Sequence, residues 1–195
     1  SSGRLGQAIA GFGHSKILIV TDSVIAKLGL LKNLTDALTE GGADLLLNYH
    51  HPQLPALLAP ERFQHLVLAT DRMLPCSAPN RDGRPRHRLP GRVDAPLALL
   101  AYSSGTYLAH TVEMILLNAN ERCHFERSFD THMSEALKAM VVEGHGFGWL
   151  PESCVSKELA EKRLVIAGGG QWSCTLEVRL YRSLENANPM VDRIW

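Results

Sequence analysis

The chain has 195 residues, 45% hydrophobic and 21% charged, enough for one large globular domain or two small lobes. Lys+Arg and Asp+Glu number 20 each, so the formal net charge is zero and the basic excess usual in a nucleic-acid-binding domain is missing. No apolar run nears the ~20 residues of a membrane span and no signal peptide is visible; Cys76, Cys123, Cys154 and Cys174 lack CxxC spacing and fit a reduced cytoplasmic protein better than a disulfide scaffold.

In chain order, LGQAIAGF (5–12) is a short helix candidate and KILIVTD (16–22) a buried strand rich in β-branched residues. Residues 24–40 read as a helix with Val24, Leu28, Leu31 and Leu38 on one face, ended by Gly41 and Gly42. ADLLLNYHH (43–51) is a second strand, completing a right-handed parallel βαβ unit. PQLPALLAPERF follows as a proline-spaced loop or short helix, then the long strand region HLVLATDRMLPCSAP (65–79). Residues 79–92, rich in Pro, Gly and Arg, read as a solvated linker. PLALLAYS (96–103) is a strand whose helix begins near Ser104 and runs to about Asn118.

CHFERSFD (123–130) is a strand leading into a helix with Met133, Leu137, Met140 and Val141 on one face. Asp130 or Thr131 is its expected cap, and Gly144 its left-handed exit. GFGWL is a short buried strand stopped by Pro151, and residues 153–162 form another helix. RLVIA and CTLEVRLYRS are strands, and Pro189 lies near the first turn of a terminal helix. This alternation predicts an α/β fold with a largely parallel sheet. The linker near 79–92 and the strand near 164 predict two lobes, 1–77 with 165–195 and 78–164, with the chain crossing between them twice.

Ligands of such sheets bind at the carboxyl ends of strands, where helix N-termini present free N–H donors. Three junctions there carry small polar residues: Thr21-Asp22-Ser23, Ser103-Ser104-Gly105-Thr106 and Asp130-Thr131-His132. Hydroxyls and amides suit a carboxylate, a halide or another small oxyanion. Ordinary N-capping uses the same residues, and both readings stand. His50 ends a strand at the same kind of edge; His50 and His51 point to opposite faces and do not make a metal pair. HExxH, GxGxxG, GxxxxGK[ST] and GxSxG patterns are all missing, so no metal, cofactor or enzymatic chemistry is predicted. The candidate ligand-binding set is Ser23, His50, Ser103, Ser104, Thr106, Thr131 and Met133. Met133 is also a candidate oxidisable thioether. The competing reading is plain core filling, which the residues alone favour.

From about Ala43 to Trp195 the chain resembles the effector-binding domain of LysR-type transcriptional regulators. The resemblance rests on ADLLLNYHHP, HLVLATDRMLPCSAP, LLAYSSGTYLAHTV, THMSEALKAMVVEGHGFGWLPE and VRLYRSLENANPMVDRIW. Within that family the likeness is greatest to the hypochlorite-responsive branch. It implies two Rossmann-like lobes of the periplasmic-binding-protein type, joined by two crossover strands, with a small-molecule or anion effector in the cleft. A homodimer contact through the first helix is implied too, and Met133 matches a methionine whose oxidation is linked to activation in that branch. The family's winged helix-turn-helix is not in this sequence, so no direct nucleic-acid contact is expected of it. Residues 1–43 instead resemble the N-terminal segment of iron-containing alcohol dehydrogenases, through KILIVTDSVIAKLGLL. The resulting expectation is a chimera, natural or engineered, joined near Gly42 to Asp44. Two alternatives stand beside a sensor domain: a recombined α/β protein with no ligand, and a nucleotide-binding dehydrogenase fragment.

Overall fold

The computed structural model describes residues 17–19, 44–56 and 58–195. The strands are β1 (Ile17–Ile19), β2 (Leu45–His50), β3 (Phe63–Ser77), β4 (Leu97–Tyr102), β5 (Phe125–Thr131), β6 (Phe147–Pro151), β7 (Val165–Ile166) and β8 (Cys174–Ser183). The helices are α1 (Tyr107–Asn118), α2 (Ser134–Val142), α3 (Glu152–Ala160) and α4 (Pro189–Ile194), with a 3-10 turn at Gly170–Trp172. The helices expected at 5–12 and 24–40 lie outside the described residues. The stretch after β2 is turns rather than a helix over its described residues. The 79–92 region is a built loop, with an isolated bridge between Pro79 and Pro85.

Among the described residues the strands form one sheet in the order β1-β2-β8-β3-β6-β4-β5, with β7 beside the end of β3. β1 lies parallel to β2, Ile17 opposite Leu45, as the βαβ reading requires. The sheet as a whole is mixed rather than largely parallel. β8 runs antiparallel to both β2 and β3, and β3 antiparallel to β6 and β7. Only β1–β2, β4–β5 and β4–β6 are parallel pairs among the described strands. The cause is the fifteen-residue β3 and its ten-residue partner β8, which traverse the molecule in opposite directions. A strand that crosses and one that returns must lie antiparallel.

The larger core lies at the β4–β6 end. Phe147, Trp149, Leu100, Leu137, Val155, Leu164 and Trp172 are almost wholly buried there. β6 is buried along its whole length, between β3 and β4, so it reads as a continuous apolar run rather than an alternating one. Gly148 is needed in it because a side chain would run into the Leu100 carbonyl of β4. The Trp149 indole, which cannot be buried unpaired without cost, donates to the Trp172 carbonyl at 2.7 Å. A smaller cluster of Leu45, Leu180 and Val191 closes the other end.

α2 ends as its sequence predicts. Gly144 has φ +80; its N–H reaches the Val141 carbonyl at 3.0 Å, and that of His145 reaches Met140 at 3.2 Å. This paired closure satisfies the last carbonyls of the helix. The start of α2 differs from expectation. Neither Asp130 nor Thr131 caps it, because β5 runs through both and pairs Thr131 with Tyr102 of β4. The ladder keeps those residues extended, and the helix starts three residues later, at Ser134.

Candidate functional site

Strand register places two carboxyl edges face to face. His50, the last residue of β2, lies opposite Glu177 of β8, which lies opposite Thr70 of β3. From the other end of the sheet, β6 runs against β3 and finishes at Pro151, opposite Met73. Three residues of β3, about 10 Å at the rise of a strand, separate the levels at which the opposed strands stop. β4 and β5 run parallel to β6 and end at Tyr102 and Thr131 on the same edge. The starts of α1, α2 and α3 follow those strand ends, so their N-termini border one crevice crossed by β3 and β8.

On the β4–β5 edge, five predicted residues come together. Ser103 is buried, and its backbone N–H donates to the Thr131 carbonyl at 2.8 Å, joining the two strand ends. Ser104 is exposed in the turn that follows. Thr106 is wholly buried and caps α1, its Oγ1 accepting from the Ala109 N–H at 3.0 Å. Thr131 Oγ1 accepts from the Met133 N–H at 3.2 Å. Met133 occupies the N-cap position of α2, which therefore has no side-chain cap. The core-filling reading of Met133 is overturned, since the residue is 61% exposed. It precedes the helix in extended conformation, φ −114 and ψ 123, so the apolar stripe starts at Leu137 instead.

His50 stands on the opposed edge. Burial lowers its pKa, with the Arg179 cation adding to the effect. Arg179 is itself ion-paired to Glu177 at 2.6 Å and holds that carboxyl below its usual range. Ser23 lies outside the described residues. Several residues not singled out from the sequence border the crevice too. Tyr107 opens α1, and its hydroxyl accepts from the His51 N–H at 2.6 Å. Tyr102 and Ser134 meet at 3.1 Å. Asp71 of β3 contacts both edges, through Tyr49 and Ser153; a carboxylate inside a strand needs such partners, but which residues supply them depends on register.

Sulfur chemistry at this end of the molecule is uneven. The thiols of Cys76, Cys123 and Cys154 are pushed up to about 12, and that of Cys174 to about 11, burial being the largest cause in each. They stay protonated near neutrality, the less reactive form. Among the methionines whose side chains are described, Met73 is fully buried, Met114 nearly so and Met140 half-buried, which leaves Met133 as the openly exposed thioether.

A family model described as the LysR substrate binding domain matches residues 25–195. The match begins inside the stretch 1–43, so the join expected near Gly42 to Asp44 falls within the family-like region. Neither the dehydrogenase nor the ligand-free chimera reading gains support from it. The chain is 29% identical over 160 residues to the HTH domain-truncated transcriptional regulator QseD of Escherichia coli O157:H7, covering 82% of this chain and 63% of that protein. It is 29% identical over 160 residues to the HTH-type transcriptional regulator YjiE of Escherichia coli K12, covering 82% and 50%. Thus it spans about half to under two thirds of the curated relatives it matches. Among solved structures it resembles HypT of Salmonella typhimurium, described as a hypochlorite-specific LysR-type transcriptional regulator, at 28% identity and TM-score 0.70, covering 84% and 53%. The isolated regulatory domain of HypT aligns at 26% identity, covering 94% and 93%, with TM-scores of 0.75 for the apo form and 0.72 for a bromide-bound form.

Proposed function

The chain belongs to the LysR substrate-binding family, and from that premise we propose that its crevice takes a small anionic effector and that Met133 is where an oxidant acts. It is the effector-binding domain of a LysR-type transcriptional regulator, built as two periplasmic-binding-protein-like lobes, and it is not an enzyme. The observation that carries the anion reading is the opposition of two carboxyl edges, with helix N-termini and the hydroxyls of Ser103, Ser104 and Thr131 on one of them. Free N–H groups and the positive end of a helix dipole favour negative charge. The bromide-bound form of the related HypT domain agrees in kind. His50 and Arg179 border the opposite side.

The oxidant reading is supported by the exposure of Met133, while burial keeps the four thiols protonated. Conversion of the thioether to a sulfoxide would put a polar group at the mouth of α2. We assign residues 1–77 with 165–195 to the first lobe and 78–164 to the second, with the crossings running through β3 and β8. A second copy of the chain is the proposed macromolecular partner, with no DNA contact by this segment, and the cytoplasm the proposed setting. No described helix is long and apolar enough to cross a membrane.

Thermal unfolding in sodium bromide tests the anion site. A bound ligand stabilises the folded chain as RT ln(1 + [L]/Kd), about 2.7 kcal/mol at a hundredfold excess over Kd. Bromide is expected to raise the Tm of the native chain and to leave that of Thr131→Val unmoved at the same salt concentration. Equal shifts in both would remove the site from this edge.

A further inference from the structure

Asp71 lies on the crossover strand β3 and is 8% exposed. A buried carboxylate is costly unless donors surround it, and this one draws them from both sides of the crevice. Tyr49, the residue before the end of β2, donates its hydroxyl to Oδ2 at 2.7 Å. Ser153, the second residue of α3, donates its backbone N–H to Oδ1 at 3.1 Å and its hydroxyl to Oδ2 at 2.5 Å. The N–H of Arg72 completes the set at 2.8 Å. The carboxylate therefore rests on the N-terminus of α3, where negative charge is favoured. Burial, followed by the Asp71 carboxylate, raises the Tyr49 phenol far above its usual range, so it stays a donor.

Two more bonds leave the same stretch of β2 and its exit. The His51 N–H reaches Tyr107 at the start of α1 at 2.6 Å, and Gln53 Oε1 accepts from Asn118 at the end of α1 at 2.9 Å. Leu54 packs on the large core cluster. Tyr49, His51 and Gln53 are alternate residues, and each bonds across the crevice. The run 49–54 is a strap from one carboxyl edge fastened onto the other.

We propose that Asp71 is a positioning residue for the effector crevice: by joining Tyr49 of one edge to Ser153 of the other, it sets the angle at which the edges meet. Its importance for effector binding rests on the crevice being the effector site; the angle can be measured without an effector. If Asp71 only capped α3, losing the Tyr49 hydroxyl would cost stability and leave the angle alone.

The test uses two nitroxide labels carried on p-acetylphenylalanine at positions 117 and 184, both exposed in the native chain, which leaves the cysteines untouched. Pulsed electron resonance is expected to give one narrow distance distribution in the otherwise native chain. Tyr49→Phe and Ser153→Ala should each shift or broaden it, and the double variant should go no further than the larger single change, because both act through one carboxylate. Bromide affinity should fall roughly five- to tenfold in the same variants, the loss of about one hydrogen bond. A Tyr49→Phe chain that folds by circular dichroism with an unchanged distribution overturns the proposal, and so do strictly additive shifts. If the distributions move as expected while bromide does not bind even the native chain, the anion reading fails and the positioning role stands.

Discussion

The junctions before α1 and α2 have similar composition, small hydroxylated residues ahead of an apolar helix, yet they are built differently. Before α1 the chain turns at Gly105, and Thr106 folds inward, wholly buried, to bond the Ala109 N–H. Before α2 the corresponding hydroxyl, Thr131, is kept on β5 by pairing with Tyr102, so the cap position falls to Met133. The first junction uses its hydroxyl to hold its own helix. The second leaves its helix without a side-chain cap and sets an exposed thioether at the opening. Identical residue types thus serve stability in one place and access in the other, and strand length decides which.

The largest effect expected from this contrast is at the inward junction. Thr106→Val should lower unfolding stability by about 1–2 kcal/mol, the usual worth of an N-cap, with the bromide response retained. Urea denaturation reads the first and thermal unfolding the second; a loss of bromide response would erase the distinction between the junctions. At the outward junction, Met133→Leu should change stability by no more than about 0.5 kcal/mol, as an exposed substitution does. Limited hypochlorite followed by peptide mass analysis should add one oxygen to the Met133 peptide before those holding Met73 or Met114. The opposite order would contradict the exposure argument.

The smallest effect concerns the edge across the crevice. His50 and His51 both have lowered pKa values, burial being the main cause. Their folded forms hold fewer protons than the unfolded chain below the ordinary imidazole value of about 6.5. Their contribution to stability is therefore fully present above that pH and is lost as pH falls through the mildly acid range. His50→Gln should flatten the stability profile between neutrality and the mildly acid range, measured by urea midpoints; an unchanged slope would place the titration elsewhere.

Much of the strand and helix order was legible because each element carries its own period and punctuation. α2 is an example: Leu137 and Val141 mark the buried face and Gly144 the exit. Strand direction was not, since nothing in CTLEVRLYRS says whether it pairs parallel or antiparallel; only its long partner on β3 decides that. Met133 was misjudged because its spacing to Leu137 matches a helical stripe, and the spacing does not reveal that β5 persists until Thr131. The crevice residues Ser103, Ser104, Thr131 and Met133 were legible as junction chemistry. Tyr49 and Asp71 were not, because their partnership crosses a whole strand and depends on register.

That register contains one irregularity. Val67 lies opposite Arg179 and Ala69 opposite Val178, so Leu68 faces no partner. Side chains alternate along a strand, and a single surplus residue exchanges its two faces for everything downstream. Up to that point even-numbered positions such as Leu66 share a surface with Leu180; afterwards odd-numbered ones such as Asp71 share it with Leu176. Without the offset, the same sequence would bring the carboxylate out on the reverse of the sheet, out of reach of the phenol of Tyr49. A length change of one residue in this strand should therefore be worse than a change of two, since an odd step would turn the joint inside out as well as displace it.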